Sequence, residues 1–285
     1  MKQVEIKGII PPVITPMNPE DESVNIPELR SQIERQIAGG VHGIFPFGTN
    51  GEAYILSLKE KEEILEAALD QVKGRIPVYA GTGCISTRDT IYMSKKAEEM
   101  GADVLSIITP SFALASQKEL YDHYCEVAKH VNIPIVLYNI PARTGNKLLP
   151  ETVAKLAKDV DVIMGAKDSS GDMDNLKAYI ELTRDIGKDF AVLAGNDGNI
   201  LPCLKAGGAG GRTCGLRPLL RFTTILWPVI WRRRKRPRMP SSRFSGCSSL
   251  AILTPSLRRA WPCWATLWAT AAGPLTTSVR RVSRS

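Results

Sequence analysis

The sequence predicts an α/β protein, specifically a TIM (β/α)8 barrel that is incomplete at its C-terminal end. Short apolar runs bounded by Gly or Pro recur along the chain, and segments with helical periodicity lie between them. The length of 285 residues also suits a single barrel of ~250 residues. An open doubly wound sheet usually has five or six strands, whereas seven strands are visible here, so the barrel is favoured.

The predicted strands appear in chain order as seven apolar runs. They are GIIPPVIT from Gly8, GIFPF from Gly43, PVYAGT from Pro77, VLSII from Val104, IVLYN from Ile135, VIMGA from Val162 and FAVLA from Phe190. Their spacing of about thirty residues matches one strand–helix unit each. An eighth unit should begin in the Gly-rich run 206–211.

Helix-start signals fall between these strands. Asn25 or Ile26 opens the first helix, and Thr87 opens the third. Ser57 opens the second with Glu60 three residues later, the spacing of a capping box. In segment 58–72, apolar side chains recur on one face and charged side chains occupy the other. The predicted inward positions are Ile64, Leu65, Ala68 and Val72, and the predicted outward positions are Lys59, Glu60, Lys61, Glu63 and Asp70.

The charge distribution divides the chain at Gly211. The last acidic residue is Asp197, and from Gly211 to Ser285 there are fourteen Arg, one Lys and all five Trp. The net charge of +8 is therefore an average over an acidic part and a strongly basic part. We accordingly divide the chain into a barrel domain, residues 1–211, and an aberrant basic segment rich in Trp and Arg, residues 212–285.

Composition also excludes several classes of protein. Six Cys without CxxC spacing and three scattered His predict no metal site and reduced thiols. The N-terminus lacks the apolar run of a signal peptide, and no stretch approaches the ~18 apolar residues of a membrane span. We expect a cytoplasmic protein that does not bind a membrane.

Polar residues at the ends of three predicted strands are the candidate site. A lysine at the end of an apolar strand, Lys167, loses hydration, which favours the neutral amine that attacks carbonyls; pairing with Asp168 is the alternative. Tyr138 is either a proton-transfer group or a core aromatic with a satisfied hydroxyl. The run 48–51 is either a tight turn or an anion site built from backbone N–H groups.

Taken together, GTNGE, YNIPARTG and GAKDSSGD resemble the family of dihydrodipicolinate synthase and N-acetylneuraminate lyase, pyruvate-dependent class I aldolases. The resemblance implies that Lys167 forms a Schiff base with pyruvate and that Tyr138 shuttles protons. It further implies that Gly48, Thr49 and Asn50 hold the pyruvate carboxylate. No cofactor is needed, because the lysine imine is the electron sink. The small-molecule substrates are thus pyruvate, or another 2-oxo acid, and an aldehyde.

The identity of the aldehyde stays open. Arg143 resembles the arginine that binds the carboxylate of aspartate semialdehyde in the synthase branch. Phe112 stands where the synthases have a proton-relaying tyrosine supplied by a neighbouring subunit. Asn50 and the run AGTGC at 80–84 resemble 4-hydroxy-2-oxoglutarate aldolase and the 2-keto-3-deoxy sugar acid aldolases. The resemblance also implies a homotetramer for the parent protein.

The segment after Gly211 matches no barrel element, and Arg212 stands where the family has an apolar residue on strand eight. We interpret this segment as out-of-frame translation of a GC-rich gene, which would remove strand eight and leave strands one and seven without a common partner. The expected consequence is a chain that is inactive or nearly so. The alternative, from another functional class, is a barrel scaffold with a nucleic-acid-binding tail. Arg with interleaved Trp is able to bind single-stranded nucleic acid through phosphate contacts and stacking. We regard this as the weaker interpretation.

Overall fold

The computed structural model describes residues 4–211 and shows one sheet in which every strand pair is parallel. Its spatial order is β1-β7-β6-β5-β4-β3-β2. The strands are β1 (Gly8–Ile9), β2 (Tyr79–Ala80), β3 (Val104–Ile108), β4 (Ile135–Asn139), β5 (Ile163–Asp168), β6 (Ala191–Ala194) and β7 (Gly210–Gly211). The predicted α/β barrel class is confirmed.

A short segment joins the two ends of this sheet. Phe45 forms a parallel bridge with Pro12, just after β1, and Ile44 forms a parallel bridge with Val78, just before β2. The predicted strand GIFPF is therefore present only as these two bridges. Together with the seven strands it makes eight positions around the ring, which is the arrangement of a TIM barrel.

The expected loss of strand eight is wrong for the backbone that the structure describes. Gly210 and Gly211 pair with Gly8 and Ile9 on one side, and with residues 193–194 of β6 on the other. β1 and β6, which correspond to the first and seventh predicted strands, therefore share β7 as their common partner. This strand has only two residues, and no helix follows it within residues 4–211, so the barrel is incomplete there. The predictions for 212–285 lie outside the described residues.

Helices alternate with the strands and cover the outside of the sheet. They are α1 (Ile26–Ala38), α2 (Leu58–Val72), α3 (Thr87–Met100), α4 (Gln117–Ala128), α5 (Pro141–Thr144), α6 (Pro150–Asp159), α7 (Met173–Leu182) and α8 (Ile200–Ala206). Asn25 caps α1, and the capping box of Ser57 and Glu60 is present on α2. The residue before Thr87, Ser86, caps α3. These local signals were predicted correctly because a cap depends on only four neighbouring residues.

The apolar side chains form two clusters, as expected for a barrel. The larger cluster lies between the sheet and the helices, and it includes all four predicted inward residues of α2. The smaller cluster fills the barrel interior with residues such as Ile10, Val104, Val136 and Leu193. No helix among the described residues is long and apolar enough to cross a membrane.

Candidate active site

A cavity of about 820 Å³ lies at the carboxyl ends of the strands, where TIM-barrel enzymes place their reacting groups. Five of the six predicted site residues line it, namely Gly48, Thr49, Asn50, Tyr138 and Arg143. These residues come from two well-separated parts of the sequence. The structure therefore brings together the turn at 48–51 and the end of β4 with the segment that follows it.

Lys167, the sixth predicted residue, lies in an adjoining smaller cavity of about 20 Å³. It is on β5 and only 5% exposed. Its Nζ lies 3.8 Å from the ring centroid of Tyr138 and 4.5 Å from that of Phe45. Phe45 and Ser106 line both cavities, so the lysine is next to the large cavity but not on its wall.

Tyr138 is positioned by the register of two neighbouring strands. It is the direct partner of Lys167 in the β4–β5 pairing, and it is only 1% exposed. Its hydroxyl lies 3.3 Å from Thr49 Oγ1, a hydrogen bond in which either atom is able to donate. Tyr138 is thus a buried aromatic whose polar end contacts the turn, and its hydroxyl is available for proton transfer.

The turn at 48–51 is a short 3₁₀ helix, Thr49–Gly51, that begins after the extended residue Gly48. Gly51 N donates to Gly48 O at 3.0 Å, and Thr15 Oγ1 donates to Gly51 O at 2.6 Å, which fixes the turn to the segment after β1. A Cβ at Gly48 would lie 2.7 Å from Cε1 of Phe45. Glycine is required here because the turn packs directly on the ring that contacts the lysine.

The carboxylate of Asp168, the predicted alternative partner of the lysine, is buried in an amide network. It accepts hydrogen bonds from Asn139 Nδ2 at 2.9 Å and from Asn175 Nδ2 at 3.2 Å. Ser170 adds its backbone N–H at 3.0 Å and its hydroxyl at 2.9 Å. Four donors therefore satisfy this carboxylate and tie the end of β5 to β4 and α7.

Arg143 and Phe112, the two residues predicted from the sequence to concern the second substrate, both have exposed side chains. Arg143 lies on α5 with an exposed side chain, and it lines the large cavity. Phe112 is 95% exposed and has a φ of 80°, a left-handed conformation that is unusual for a bulky residue. Phe112 is not among the residues that line the cavity of this chain.

Sequence reasoning missed several residues of this region. Phe45 contacts the lysine, Ser106 lies between the two cavities, and Ser169 lines the large cavity with a buried hydroxyl that has no hydrogen-bond partner among residues 4–211. The alternation of side chains along β3 shows that Ser106 lies on the same face as Val104. It does not show that this face lines a cavity, because the cavity is formed by residues distant in the sequence. The predicted outward position of Lys61 is wrong, because it is only 7% exposed and lines the large cavity.

Comparison with known proteins explains this arrangement. A profile of the Dihydrodipicolinate synthetase family matches residues 5–215. The chain belongs to this family. The 4-hydroxy-tetrahydrodipicolinate synthase of Methanopyrus kandleri is 42% identical over 206 residues, which is 72% of this chain and 68% of that protein. The corresponding synthase of Syntrophus aciditrophicus is 43% identical over 204 residues, covering 72% and 68% of the two chains.

Solved structures of the family share the fold. YagE, a prophage protein of the dihydrodipicolinic acid synthase family from E. coli K12, was solved in complex with pyruvate; it superposes with a TM-score of 0.76 at 31% identity, over 81% of this chain and 78% of that one. The dihydrodipicolinate synthase of Thermotoga maritima gives a TM-score of 0.75 at 29% identity, over 80% and 78% of the chains.

Family membership fixes the class of chemistry. Dihydrodipicolinate synthetase family proteins are pyruvate-binding lyases of the aldolase type, which use a Schiff base with pyruvate and no separate cofactor. Among residues 4–211, no group of three or more His, Cys, Asp or Glu side chains is arranged to hold a metal ion.

Proposed function

We propose that this chain carries the active site of a Schiff-base lyase, similar to 4-hydroxy-tetrahydrodipicolinate synthase, that condenses pyruvate with an aldehyde or cleaves the corresponding aldol. One observation supports this most directly. The amine of Lys167 is buried against the ring of Tyr138 at 3.8 Å, and the hydroxyl of that tyrosine contacts Thr49 at the wall of the large cavity.

In the proposed reaction, Lys167 Nζ attacks the keto carbon of pyruvate. A carbon–nitrogen bond forms, the keto oxygen leaves as water, and the resulting imine withdraws electrons from the neighbouring methyl carbon. Loss of a proton from that carbon gives an enamine, which attacks the aldehyde carbon; the aldehyde oxygen then takes a proton. Tyr138 is the proposed proton shuttle, because its ring contacts the lysine amine and its hydroxyl contacts Thr49.

The proposed carboxylate site is the turn at 48–51. Gly48, Thr49 and Asn50 line the cavity, and backbone N–H groups at the start of a helical turn favour an anion. Because the turn packs on Phe45, a carboxylate bound there would lie near the lysine. Pyruvate is a small 2-oxo acid that would reach both groups at once.

The second substrate is proposed to be an aldehyde that carries a carboxylate, with Arg143 as its partner. Arg143 lines the same cavity as the turn, and a guanidinium binds carboxylates in a bidentate manner.

Two observations favour a 4-hydroxy-2-oxoglutarate or 2-keto-3-deoxy sugar acid aldolase as the second candidate. Phe112 has no hydroxyl to relay a proton, and the buried hydroxyl of Ser169 faces the cavity, where it would suit a hydroxylated aldehyde.

Borohydride trapping tests the proposed chemistry. Incubation of the full chain with pyruvate and borohydride should add the mass of a reduced pyruvate adduct to the peptide that contains Lys167. Lys167→Ala should gain none. Lys61→Ala is the matched control, because Lys61 is also mostly buried and lines the large cavity, and it should be labelled like the original chain. An adduct that persists in Lys167→Ala would refute the assignment. A panel of aspartate semialdehyde, glyoxylate and sugar-derived aldehydes would then identify the second substrate.

We further propose that the parent protein is a homo-oligomer. Five large apolar side chains are exposed on loops that follow three neighbouring strand positions, namely Tyr54, Ile55, Ile85, Phe112 and Leu114. Several large apolar side chains exposed on neighbouring loops favour protein–protein contact. Sedimentation of the in-frame parent protein and of its Phe112→Ser, Leu114→Ser variant is the test, and identical masses at the size of a monomer would contradict the proposal.

For the segment after Gly211 we propose out-of-frame translation that leaves aldol turnover lost or nearly lost relative to the in-frame parent protein, while Lys167 still forms the pyruvate adduct; a nucleic-acid-binding tail is the alternative. The abrupt loss of acidic residues supports the first proposal. The nucleotide sequence tests it, since an alternative frame should encode a peptide similar to the C-terminal part of the family. Salt-sensitive binding of single-stranded DNA that disappears when 212–285 are removed would support the alternative.

A further inference from the structure

The smaller cavity inside the barrel is lined by two hydroxyl-bearing residues, Tyr79 and Ser106, that the proposed reaction does not use. Its volume is about 20 Å³. Its lining consists of Ile10, Phe45, Tyr79, Ser106, Val136, Lys167, Leu193 and Gly211. Three of these side chains are polar, whereas the rest of the wall is hydrocarbon, aromatic ring or glycine.

Two of these lining residues, Tyr79 and Ser106, carry buried hydroxyls and lie on neighbouring strands. Tyr79 on β2 pairs with Val104 on β3, and Ser106 lies two residues further along β3, so both side chains project from the same face of the sheet. Tyr79 is 2% exposed and Ser106 is 4% exposed. Neither hydroxyl has a hydrogen-bond partner among the described residues.

A buried hydroxyl without a partner is costly, and proteins usually satisfy such groups with ordered water. One water molecule needs roughly 10–15 Å³ of such volume and two to four polar neighbours. The smaller cavity meets both conditions. We propose that it binds one water molecule, held by the hydroxyls of Tyr79 and Ser106 beside the Nζ of Lys167.

The position of this water gives it a role in the proposed reaction. Lys167 Nζ faces the rings of Phe45 and Tyr138. The water would contact the amine from the barrel interior, on the side of Tyr79 and Ser106, and hold the nitrogen in place for attack on the keto carbon. Tyr79 and Ser106 are thus positioning residues that act through the water. The water site itself does not depend on the proposed function, whereas its effect on the reaction does.

The sign of a stability change tests whether the water is bound. Tyr79→Phe and Ser106→Ala each remove one hydroxyl and preserve most of the packing. If the water is present, each variant loses a hydrogen bond, and the Tm of the full chain should fall by ~2–4 °C. The double variant should lose less than the sum, because both hydroxyls bind the same molecule. Tyr124→Phe is the matched control, since Tyr124 is fully buried and donates to Ile107 O at 3.1 Å.

A dry cavity would give the opposite result. Removing a hydroxyl that has no partner would raise the Tm in each single variant, and the two effects would add. That outcome would overturn the water site, as would a high-resolution crystal structure without electron density between the two hydroxyls. A density peak within hydrogen-bonding distance of both would support it.

The effect on Lys167 is measured separately by the rate of pyruvate trapping with borohydride. If the water positions the amine, Tyr79→Phe and Ser106→Ala should form the adduct several-fold more slowly than the original chain, while Tyr124→Phe should form it at the original rate. Equal rates in all variants would overturn the positioning role. Absence of an adduct in the original chain would instead contradict the proposed function and leave the stability result as the measure of the water site.

Discussion

At the scale of single residues, the contact between Gly48 and Phe45 links the carboxylate turn to the lysine. A Cβ at position 48 would lie 2.7 Å from the Phe45 ring, and that ring contacts Lys167 Nζ at 4.5 Å. We therefore expect Gly48→Ala to displace the ring and to reduce pyruvate trapping by at least tenfold. Gly198→Ala is the matched control, because no atom lies within 4 Å of its added Cβ, and it should be trapped normally.

Substitution of Tyr138 by Phe separates the role of its ring from the role of its hydroxyl. Tyr138→Phe retains the ring beside the lysine amine and loses the hydroxyl that contacts Thr49. Because the hydroxyl is the proposed proton shuttle, the adduct should still form, while turnover of the in-frame parent protein with an aldehyde should fall by ~10²–10⁴-fold. Turnover of Tyr138→Phe at the original rate would exclude the shuttle role, and Tyr124→Phe controls for the loss of a buried tyrosine hydroxyl outside the cavity.

Several site residues were predictable because their signals are local or motif-based. Lys167, Tyr138 and the turn at 48–51 lie in short motifs at strand ends, and the structure places them around two adjoining cavities. Lys61 was not predictable from helical periodicity. Its burial comes from the cavity next to α2, which is created by residues distant in the sequence.

At the scale of secondary-structure elements, the carboxylate of Asp168 joins β5 to β4 and α7 through Asn139, Asn175 and Ser170. Asn139→Ala should destabilise the chain by about 1–3 kcal/mol, because it removes a donor to a buried carboxylate. Pyruvate trapping should fall as well, since the same bond joins the strands that carry Tyr138 and Lys167. Urea unfolding and trapping measure the two effects, and unchanged values of both would contradict this role.

His123 on α4 makes the stability of the helical layer dependent on pH. It is 6% exposed, and burial lowers its pKa from 6.5 to about 4. Below pH 6.5 the unfolded chain binds a proton that the folded chain excludes. The contribution of His123 to the free energy of unfolding should therefore be fully present above about pH 6.5. It should decrease by up to ~3 kcal/mol as the pH falls through 4.

Urea unfolding between pH 4 and 7 measures this dependence. His123→Gln should flatten the curve, since glutamine does not titrate and would retain a polar contact to Thr87. His130→Gln, a change of a surface histidine, is the control and should leave most of the slope in place. A slope that persists in His123→Gln would show that another group excludes the proton.

The helices were easier to predict than the strand pairing. The capping box of Ser57 and Glu60 was predicted from residues three positions apart, and the inward face of α2 was predicted from the apolar periodicity of 58–72. The bridges of Ile44 and Phe45 join segments distant in the sequence, so periodicity indicated a strand there without indicating how short its pairing would be.

At the scale of the whole molecule, ring closure depends on Gly210. Its φ is 149°, and a Cβ there would lie 2.1 Å from Gly8 O. Gly210→Ala would therefore separate β7 from β1, and we expect a loss of about 1–3 kcal/mol in the free energy of unfolding. Urea denaturation of the full chain provides the measurement, with Gly198→Ala as the control. Equal midpoints for the two variants would contradict the closing role of β7.

Sequence reasoning correctly predicted that an eighth unit begins in the run 206–211, but it missed that this strand closes the ring. The change in composition at Gly211 predicted the loss of the eighth position, yet two glycines are enough to pair with both neighbours because glycine allows close approach of the backbones. Out-of-frame translation of residues 212–285 stays a prediction, because those residues lie outside the part of the chain that the structure describes.

The placement of Lys167 in the smaller cavity has a consequence for its reactivity toward other compounds. Bulky acylating reagents in the surrounding solution would meet the rings of Phe45 and Tyr138 before they reached the nitrogen. Surface lysines should therefore be modified long before this one. A small 2-oxo acid held by its carboxylate would still reach the amine. The barrel would therefore select reagents by size and shield Lys167 from non-specific modification.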